Sequence, residues 1–236
     1  MNLQSTAYEQ VKVIAFDADD TLWVNETFFR EAEQQFAELL SSYETINKID
    51  QELFKKEMDN LALYGYGIKG FVLSMIESAI EISNGTVSND KLNKILDIGK
   101  DMLNKPVELL EGIEEVLEQL SQKYRLVLCT KGDLLDQERK LNKSNLGRYF
   151  HHVEVMSDKK EADYLKVLAH LDIPAEEFLM IGNSLKSDIL PLISLGAQAI
   201  HIPFHTTWQH ETVDTQHLDT DQYLTLYSAS ELLNHL

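Results

Sequence analysis

Short apolar runs alternate with amphipathic stretches through most of the sequence. The runs are rich in β-branched residues and typical of strands buried on both faces of a parallel sheet. They lie at 11–16, 125–129, 152–155, 178–181 and 198–202. Apolar residues at three- and four-residue spacing predict intervening helices at 113–120, 134–141, 162–171 and 189–195. We therefore predict an α/β fold with a doubly wound, Rossmann-like parallel sheet, ending in a strand near 223–226 and a helix at 229–236.

One long stretch, from residue 25 to residue 105, breaks this alternation because it shows helical periodicity with few strand-like runs. Helices are predicted at 26–40, 48–63, 71–82 and 89–103. We predict two domains: a sheet-containing core made of 1–24 and 106–236, and an inserted four-helix bundle at 25–105.

The charge of the chain restricts its partners. A formal net charge of −18 without a Lys/Arg cluster disfavours both nucleic acid and anionic membranes, so we expect neither partner. No apolar run approaches the ~20 residues needed to cross a bilayer, and the first residues lack a signal-peptide pattern, which predicts a cytoplasmic protein. Cys129 lies inside an apolar run and is predicted to be a buried thiol. The sequence makes no prediction of the oligomeric state.

An acidic cluster, Asp17-Ala18-Asp19-Asp20-Thr21, follows the first predicted strand. The carboxyl end of a strand is where open α/β sheets bind ligands. There Asp17 can attack a phosphoryl group to give an acyl-phosphate, and Asp19 can move protons for the leaving group and the water. Spacing alone fits a solvated turn equally well, or a helix N-cap formed by Asp20 or Thr21.

A second polar segment follows the fourth core strand and contains Asn183 and Asp188. Together with Asp17 these residues offer the hard oxygen ligands that Mg²⁺ prefers. The alternative is an ordinary helix start, capped by Ser184 or Ser187.

Two further signals fall after the remaining core strands. Thr130-Lys131-Gly132 supplies a hydroxyl and backbone N–H groups suited to phosphate oxygens, and Lys159 or Lys160 supplies an ammonium that can neutralise a nucleophile and a phosphate. Each is weak by itself, because a capped turn and a pair of surface lysines explain them as well. All four signals meet at one edge of the predicted sheet, which favours a phosphoryl-transfer site.

These residues together resemble the haloacid dehalogenase-like superfamily. Residues 16–22 are similar to its first motif in the phosphatase form, which implies that Asp17 is the nucleophile and Asp19 the acid/base. Thr130 is similar to the phosphoryl-binding hydroxyl of the second motif, with Lys131 beside it as a further substrate-binding candidate. Lys159 matches the third-motif lysine better than Lys160 does.

The resemblance also implies a cofactor. Mg²⁺ would be bound by the Asp17 side chain, the Asp19 carbonyl, Asn183 and Asp188. Family members usually carry aspartate where this chain has Asn183, and an amide oxygen brings no negative charge.

The helical insert is similar to the first type of cap in this superfamily. Such a cap closes over the site and contributes substrate contacts from the loop between its second and third helices, here 64–70. Lys69, Tyr64 and Tyr66 are the candidates for contacts with the leaving group.

The resulting hypothesis is a Mg²⁺-dependent phosphatase that acts on a small phosphorylated metabolite. A phosphomutase would use the same intermediate, and a phospho-ligand binding module would keep the fold without turnover. Asp19 argues against a C–halogen hydrolase, which would not need a protonating carboxyl. The histidines at 201, 205, 210 and 217 are spaced too irregularly for a compact zinc site, and we predict none there.

Overall fold

The computed structural model describes residues 8–215 and 218–236, so His217 lies outside the described residues. The chain folds into two compact units. The first comprises the described residues of 1–26, 107–131 and 139–236, and the second comprises 27–106 and 132–138. Among the helices of the described chain, none is both long enough and apolar enough to span a membrane.

The first unit contains a six-stranded sheet in which every neighbouring pair of strands is parallel. The strands are β1 (Val13–Phe16), β2 (Arg125–Lys131), β3 (His152–Met156), β4 (Phe178–Gly182), β5 (Gln198–His201) and β6 (Leu224–Thr225). Their order is β3-β2-β1-β4-β5-β6, which places β1 between β2 and β4. The predicted α/β class with a doubly wound parallel sheet is confirmed.

The helices follow the predicted periodicity closely. They are α1 (Glu26–Leu40), α2 (Ile46–Tyr64), α3 (Ile68–Ile82), α4 (Asn89–Asn104), α5 (Ile113–Leu120), α6 (Leu134–Ser144), α7 (Glu161–Leu171) and α8 (Leu190–Ser194). The helix predicted at 229–236 is present as a 3₁₀ helix at Ala229–Asn234.

The helix predicted at 189–195 is present as α8, within one residue at each end. The chain first forms a π-helix at Leu185–Ile189 and only then becomes α8. Pro191 has no N–H to donate to the carbonyl four residues earlier, which belongs to Ser187. That carbonyl instead accepts a hydrogen bond of 2.9 Å from the Tyr164 hydroxyl, so the irregular turn has no unsatisfied acceptor there.

Both faces of the central strand β1 are buried, as its continuous apolar run predicts. On one face, Ile14 and Phe16 of β1 belong to a core with Val116 and Leu117 of α5. On the other face, the alternate β1 residues belong to a second core that contains Tyr164 of α7. This packing fixes the register of β1 and therefore the direction in which the chain leaves its carboxyl end.

The second unit is built from α1 to α4, and each helix contributes a fully buried side chain to one core. These side chains are Phe36, Ile49, Met75 and Ile95. The spacing of apolar residues along each helix therefore corresponds to a buried stripe, as expected for a helical bundle.

Candidate active site at the carboxyl edge of the sheet

Asp17 lies directly after β1, and its backbone N–H continues the sheet by donating to the Ile181 carbonyl of β4 at 2.9 Å. Its side chain is nearly buried and accepts a hydrogen bond at Oδ2 from the Thr21 hydroxyl at 3.1 Å. The residue is therefore held by the sheet on one side and by the following turn on the other.

Lys159 joins the acidic residues of two different strand ends. Its Nζ lies 2.5 Å from Asp17 Oδ1 and 2.6 Å from Asp188 Oδ1. The side chains of Lys159 and Asp188 are each 1% exposed, whereas the neighbouring Lys160 is 73% exposed and pairs with Asp158. The structure thus places Lys159, and not Lys160, among the buried carboxylates.

Burial governs the electrostatics of this cluster. It raises the pKa of Asp17 to about 7; the charge of Lys159 opposes the increase, and the charges of Asp188 and Asp19 add to it. One ammonium balances only one of the two carboxylates it contacts. An additional cation at this position would stabilise the ionised form of Asp17.

The Asn183 amide faces the same carboxylate. One of its terminal positions lies 3.3 Å from Asp17 Oδ2 and 3.3 Å from the Asp19 carbonyl oxygen. If the amide nitrogen of Asn183 occupies this position, it donates to both oxygens. If the amide oxygen occupies it, the oxygens of Asn183, Asp17 and Asp19 face one another. Such a set of oxygens matches the hard-ligand preference of Mg²⁺, so the donor groups present fit this ion.

Asp188 reaches the cluster from the π-helix after β4. Its Oδ2 accepts from the Ser184 N–H at 3.0 Å, while Oδ1 contacts Lys159. A Cβ added to Gly182 would lie 2.3 Å from Asp188 Oδ2, so glycine at the end of β4 is required for this approach. Ser184 caps the turn by accepting from the Ser187 N–H at 3.1 Å, as the helix-start alternative predicts.

Asp19 is held by two residues that were not singled out from the sequence. Its Oδ1 accepts from Trp23 Nε1 at 2.7 Å and from Lys140 Nζ at 2.5 Å. Lys140 lies 121 residues further along the chain, and nothing in its local sequence indicates the contact. Of the two cap candidates, Asp20 accepts from the Glu26 N–H at the start of α1, whereas the Thr21 hydroxyl donates to Asp17.

Thr130 and Lys131 end β2, and the lysine belongs to a second buried network. Lys131 Nζ lies 2.5 Å from Glu211 Oε1 and 2.9 Å from the Ser187 hydroxyl. Glu211 Oε2 accepts from Ser184 and Ser187 at 2.5 and 2.6 Å.

Glu211 was also missed by sequence reasoning, because it lies in an irregular segment without a motif. Burial raises the pKa of its carboxyl, but the charge of Lys131 and the hydrogen bonds of the network outweigh burial and lower the pKa to about 2. Glu211 is therefore ionised at neutral pH, and it ties the segment before β6 to the turn that carries Asp188.

The predicted loop at 64–70 is shorter in the structure, because α3 already begins at Ile68. Gly67, with φ of 104°, turns the chain into that helix, and Lys69 lies in its first turn. Lys69 pairs with Asp133 of the same unit at 2.9 Å, and the Tyr64 hydroxyl donates to Glu77 at 2.6 Å. Within the second unit, Lys69 and Tyr64 therefore have intramolecular partners.

Comparisons with known proteins relate this chain to one family of hydrolases. The model of the haloacid dehalogenase-like hydrolases matches residues 11–196. Human N-acylneuraminate-9-phosphatase is 25% identical over 201 residues, which cover 80% of this chain and 81% of the human protein.

Solved structures show the same fold. A haloacid dehalogenase-like family hydrolase from Xanthomonas campestris has a TM-score of 0.85 and 37% identity, covering 94% of this chain and 88% of that chain. A 2-haloacid dehalogenase from Pseudomonas syringae pv. Tomato has a TM-score of 0.63 and 17% identity, covering 95% and 97%, and shows likeness of fold alone. The family match spans most of the sequence, and the chain therefore belongs to the haloacid dehalogenase-like hydrolases.

Proposed function

We propose that this hydrolase is a Mg²⁺-dependent phosphatase that removes phosphate from a small metabolite through an aspartyl-phosphate on Asp17. The observation that supports the proposal best is the buried contact of one lysine with Asp17 and Asp188, beside the amide of Asn183. A nucleophilic carboxylate, a fixed cation and convergent oxygen ligands are the groups that phosphoryl transfer requires.

The magnesium ion would be held by the Asp17 side chain, the Asp19 carbonyl, the amide oxygen of Asn183 and Asp188. When bound, it supplies positive charge that neutralises phosphoryl oxygens. Because Asn183 is neutral, the ion would depend more strongly on the two carboxylates than in relatives with a third acidic ligand.

The residues of the chain divide the reaction into two displacements. A carboxylate oxygen of Asp17 attacks phosphorus, and the bond to the leaving oxygen breaks as Asp19 donates its proton to that oxygen. Asp19 then accepts a proton from water, which attacks the same phosphorus and releases inorganic phosphate and the Asp17 carboxylate. Lys159 and the Thr130 hydroxyl would bind the equatorial phosphoryl oxygens and stabilise their charge.

Within this mechanism, Trp23 and Lys140 would position Asp19. Both donate to its Oδ1, so they restrict the rotation of the side chain that must reach the leaving oxygen. Lys131 is already paired with Glu211 and is better placed to orient the turn at Ser187 than to serve as a mobile phosphate ligand.

The choice of substrate rests on the relatives. Three mammalian relatives with 24–25% identity are N-acylneuraminate-9-phosphatases, so phosphorylated acidic sugars are the first substrates to test. An anionic substrate must approach a chain of net charge −18, which makes the local positive charge of Lys159 and the metal essential.

A phosphate-release assay with Mg²⁺ tests this proposal on a panel that includes N-acylneuraminate 9-phosphate and hexose phosphates. We expect Asp17→Asn to lower kcat by at least about 10³-fold, because the nucleophile is lost. Asp172→Asn is the matched control, because Asp172 is exposed and its φ of 54° suits asparagine. The activity of this variant should equal that of the wild type.

Two outcomes would contradict the proposal. One is equal phosphate release by the wild type and Asp17→Asn, and the other is no release from any substrate at saturating Mg²⁺. Product analysis separates hydrolysis from a phosphomutase, since only hydrolysis yields inorganic phosphate in proportion to substrate consumed. Beryllium fluoride, followed by ¹⁹F NMR, should bind to the wild type and not to Asp17→Asn.

A further inference from the structure

Two histidines and a glutamate converge on one face of the edge strand β3. His152 and Glu154 are two residues apart, so their side chains leave the strand on the same face. Met156 continues this face and packs in a core with Tyr164 of α7. His170 lies in the last turn of α7 and completes the group, which we term the β3–α7 cluster.

The atoms that can bind a metal are already close together in this cluster. His152 Nε2 and His170 Nδ1 lie 2.8 and 2.7 Å from the same oxygen, Glu154 Oε1. The three ligand atoms all lie within 4.8 Å of one another. Zinc bonds of about 2.0–2.1 Å in a tetrahedron separate neighbouring ligand atoms by about 3.4 Å. Shifts of about 1 Å or less would therefore convert the cluster into a metal site.

The burial of the cluster fits an ion with open coordination positions. The side chains of His152 and Glu154 are 29% and 24% exposed, whereas His170 is 63% exposed. The strand residues are thus held by packing, while the helical residue borders solvent. Water can complete the coordination of an ion that has three protein ligands.

We propose that the β3–α7 cluster binds Zn²⁺ through His152, Glu154 and His170. Imidazole nitrogens favour borderline transition metals such as zinc, whereas Mg²⁺ prefers the all-oxygen ligands found at Asp17. The two proposed sites therefore differ in ligand type as well as in place.

The cluster shares no residue with the proposed phosphatase site. It lies on the edge strand β3, which β2 separates from β1 in the sheet, and His152 pairs with Val127 of β2 and through it with Ala15 of β1. The Asp17 carboxylate instead contacts Lys159 and Thr21. Zinc at the cluster would crosslink β3 to the end of α7, and it would stabilise the folded chain because the unfolded chain does not hold the three ligands together.

Binding of zinc requires each histidine to present an unprotonated nitrogen, so the affinity should fall in acid.

Calorimetric titration of the chelator-treated protein with Zn²⁺, in buffer containing excess Mg²⁺, tests the proposal. We expect one zinc ion per chain at the cluster, a higher melting temperature on binding, and an affinity at least about tenfold lower in His170→Gln and in His152→Gln. His151→Gln is the matched control, because His151 is an exposed neighbour outside the cluster and its loss should leave zinc binding unchanged. Co²⁺ should give the visible absorption of a low-symmetry site in the wild type and lose it in His170→Gln.

The proposal is overturned if zinc binds His170→Gln and the wild type equally, or if the wild type shows no binding at millimolar zinc. In either case the cluster is an ion-pair network between histidines and Glu154. Asp17→Asn should keep its zinc affinity, so a failure of the phosphatase proposal and a failure of the zinc proposal give different results.

Discussion

Replacement of Lys159 by methionine tests the buried ion cluster directly. Methionine retains most of the side-chain volume but removes the ammonium that lies 2.5 Å from Asp17 and 2.6 Å from Asp188. Removing one partner from a buried ion pair typically costs about 3–5 kcal/mol, because the remaining charge has no compensation. Thr21 and the Ser184 N–H still donate to the carboxylates, so we expect a loss of about 4 kcal/mol in the free energy of unfolding at pH 8.5.

The loss should depend on pH with a definite sign. The pKa of Asp17 in the folded protein is about 7, above the ordinary 3.8, so the folded state binds its proton more tightly and stability decreases as pH rises between these values. Without Lys159, this pKa increases further. The variant should therefore lose up to about 1.4 kcal/mol per pH unit relative to the wild type above pH 7.

Urea unfolding followed by tryptophan fluorescence at pH 6 and pH 8.5 measures both effects. The chain has two tryptophans, and both lie in the first unit. Trp23 is fully buried and reports unfolding near the buried charges of Asp17, Lys159 and Asp188. Lys160→Met is the matched control, with an expected change within about 0.5 kcal/mol because Lys160 is exposed. Similar losses in the two variants, or a larger loss at pH 6 than at pH 8.5, would refute the reasoning.

Three further predictions concern neighbouring residues. Glu211→Gln should lower the free energy of unfolding by about 3 kcal/mol at pH 7, measured by urea unfolding. Because the pKa of Glu211 in the folded protein is about 2, below the ordinary 4.5, the difference in stability between wild type and variant should shrink as pH falls from 4.5 toward 2. A difference that stays constant over this range would contradict the prediction. Asn183→Asp adds a carboxylate beside Asp17, so it should raise Mg²⁺ affinity by about tenfold in thermal-shift titrations and lower the stability of the metal-free protein. An unchanged Mg²⁺ affinity would argue against Asn183 as a ligand. Burial raises the pKa of Asp20 to about 7, so this group should lower the stability of the wild type by up to about 1.4 kcal/mol per pH unit as pH rises from 4 to 7. Asp20→Asn should remove this contribution to the pH dependence in the same unfolding assay.

Periodicity alone predicted most of the secondary structure. Continuous β-branched runs at 11–16 and 178–181 and apolar spacing at 113–120 depend on local side-chain chemistry, and the structure has β1, β4 and α5 at these places. The short strands also determined that the acidic cluster follows β1, because a strand must end where its apolar run ends. The π-helix before α8 was not predicted, and the Tyr164 hydroxyl that donates to its Ser187 carbonyl belongs to α7, 23 residues earlier.

The partners of the candidate site residues were decided only by the tertiary structure. The sequence contained Asp17, Lys159 and Asp188 as separate weak signals, and the parallel sheet brought their charged atoms to within 2.5–2.6 Å. Their roles in catalysis stay predictions until the proposed variants are measured.

By itself, the sequence determined the class of fold, the strand ends at which polar residues collect, and the family to which the chain belongs. Only the folded structure decided that Lys140 contacts Asp19 and that Glu211 binds Lys131. The physical reason is distance along the chain: periodicity reflects neighbours within a few residues, whereas these ion pairs join residues 121 and 80 positions apart. Such pairs form only after packing of the sheet and helices has fixed where each side chain points.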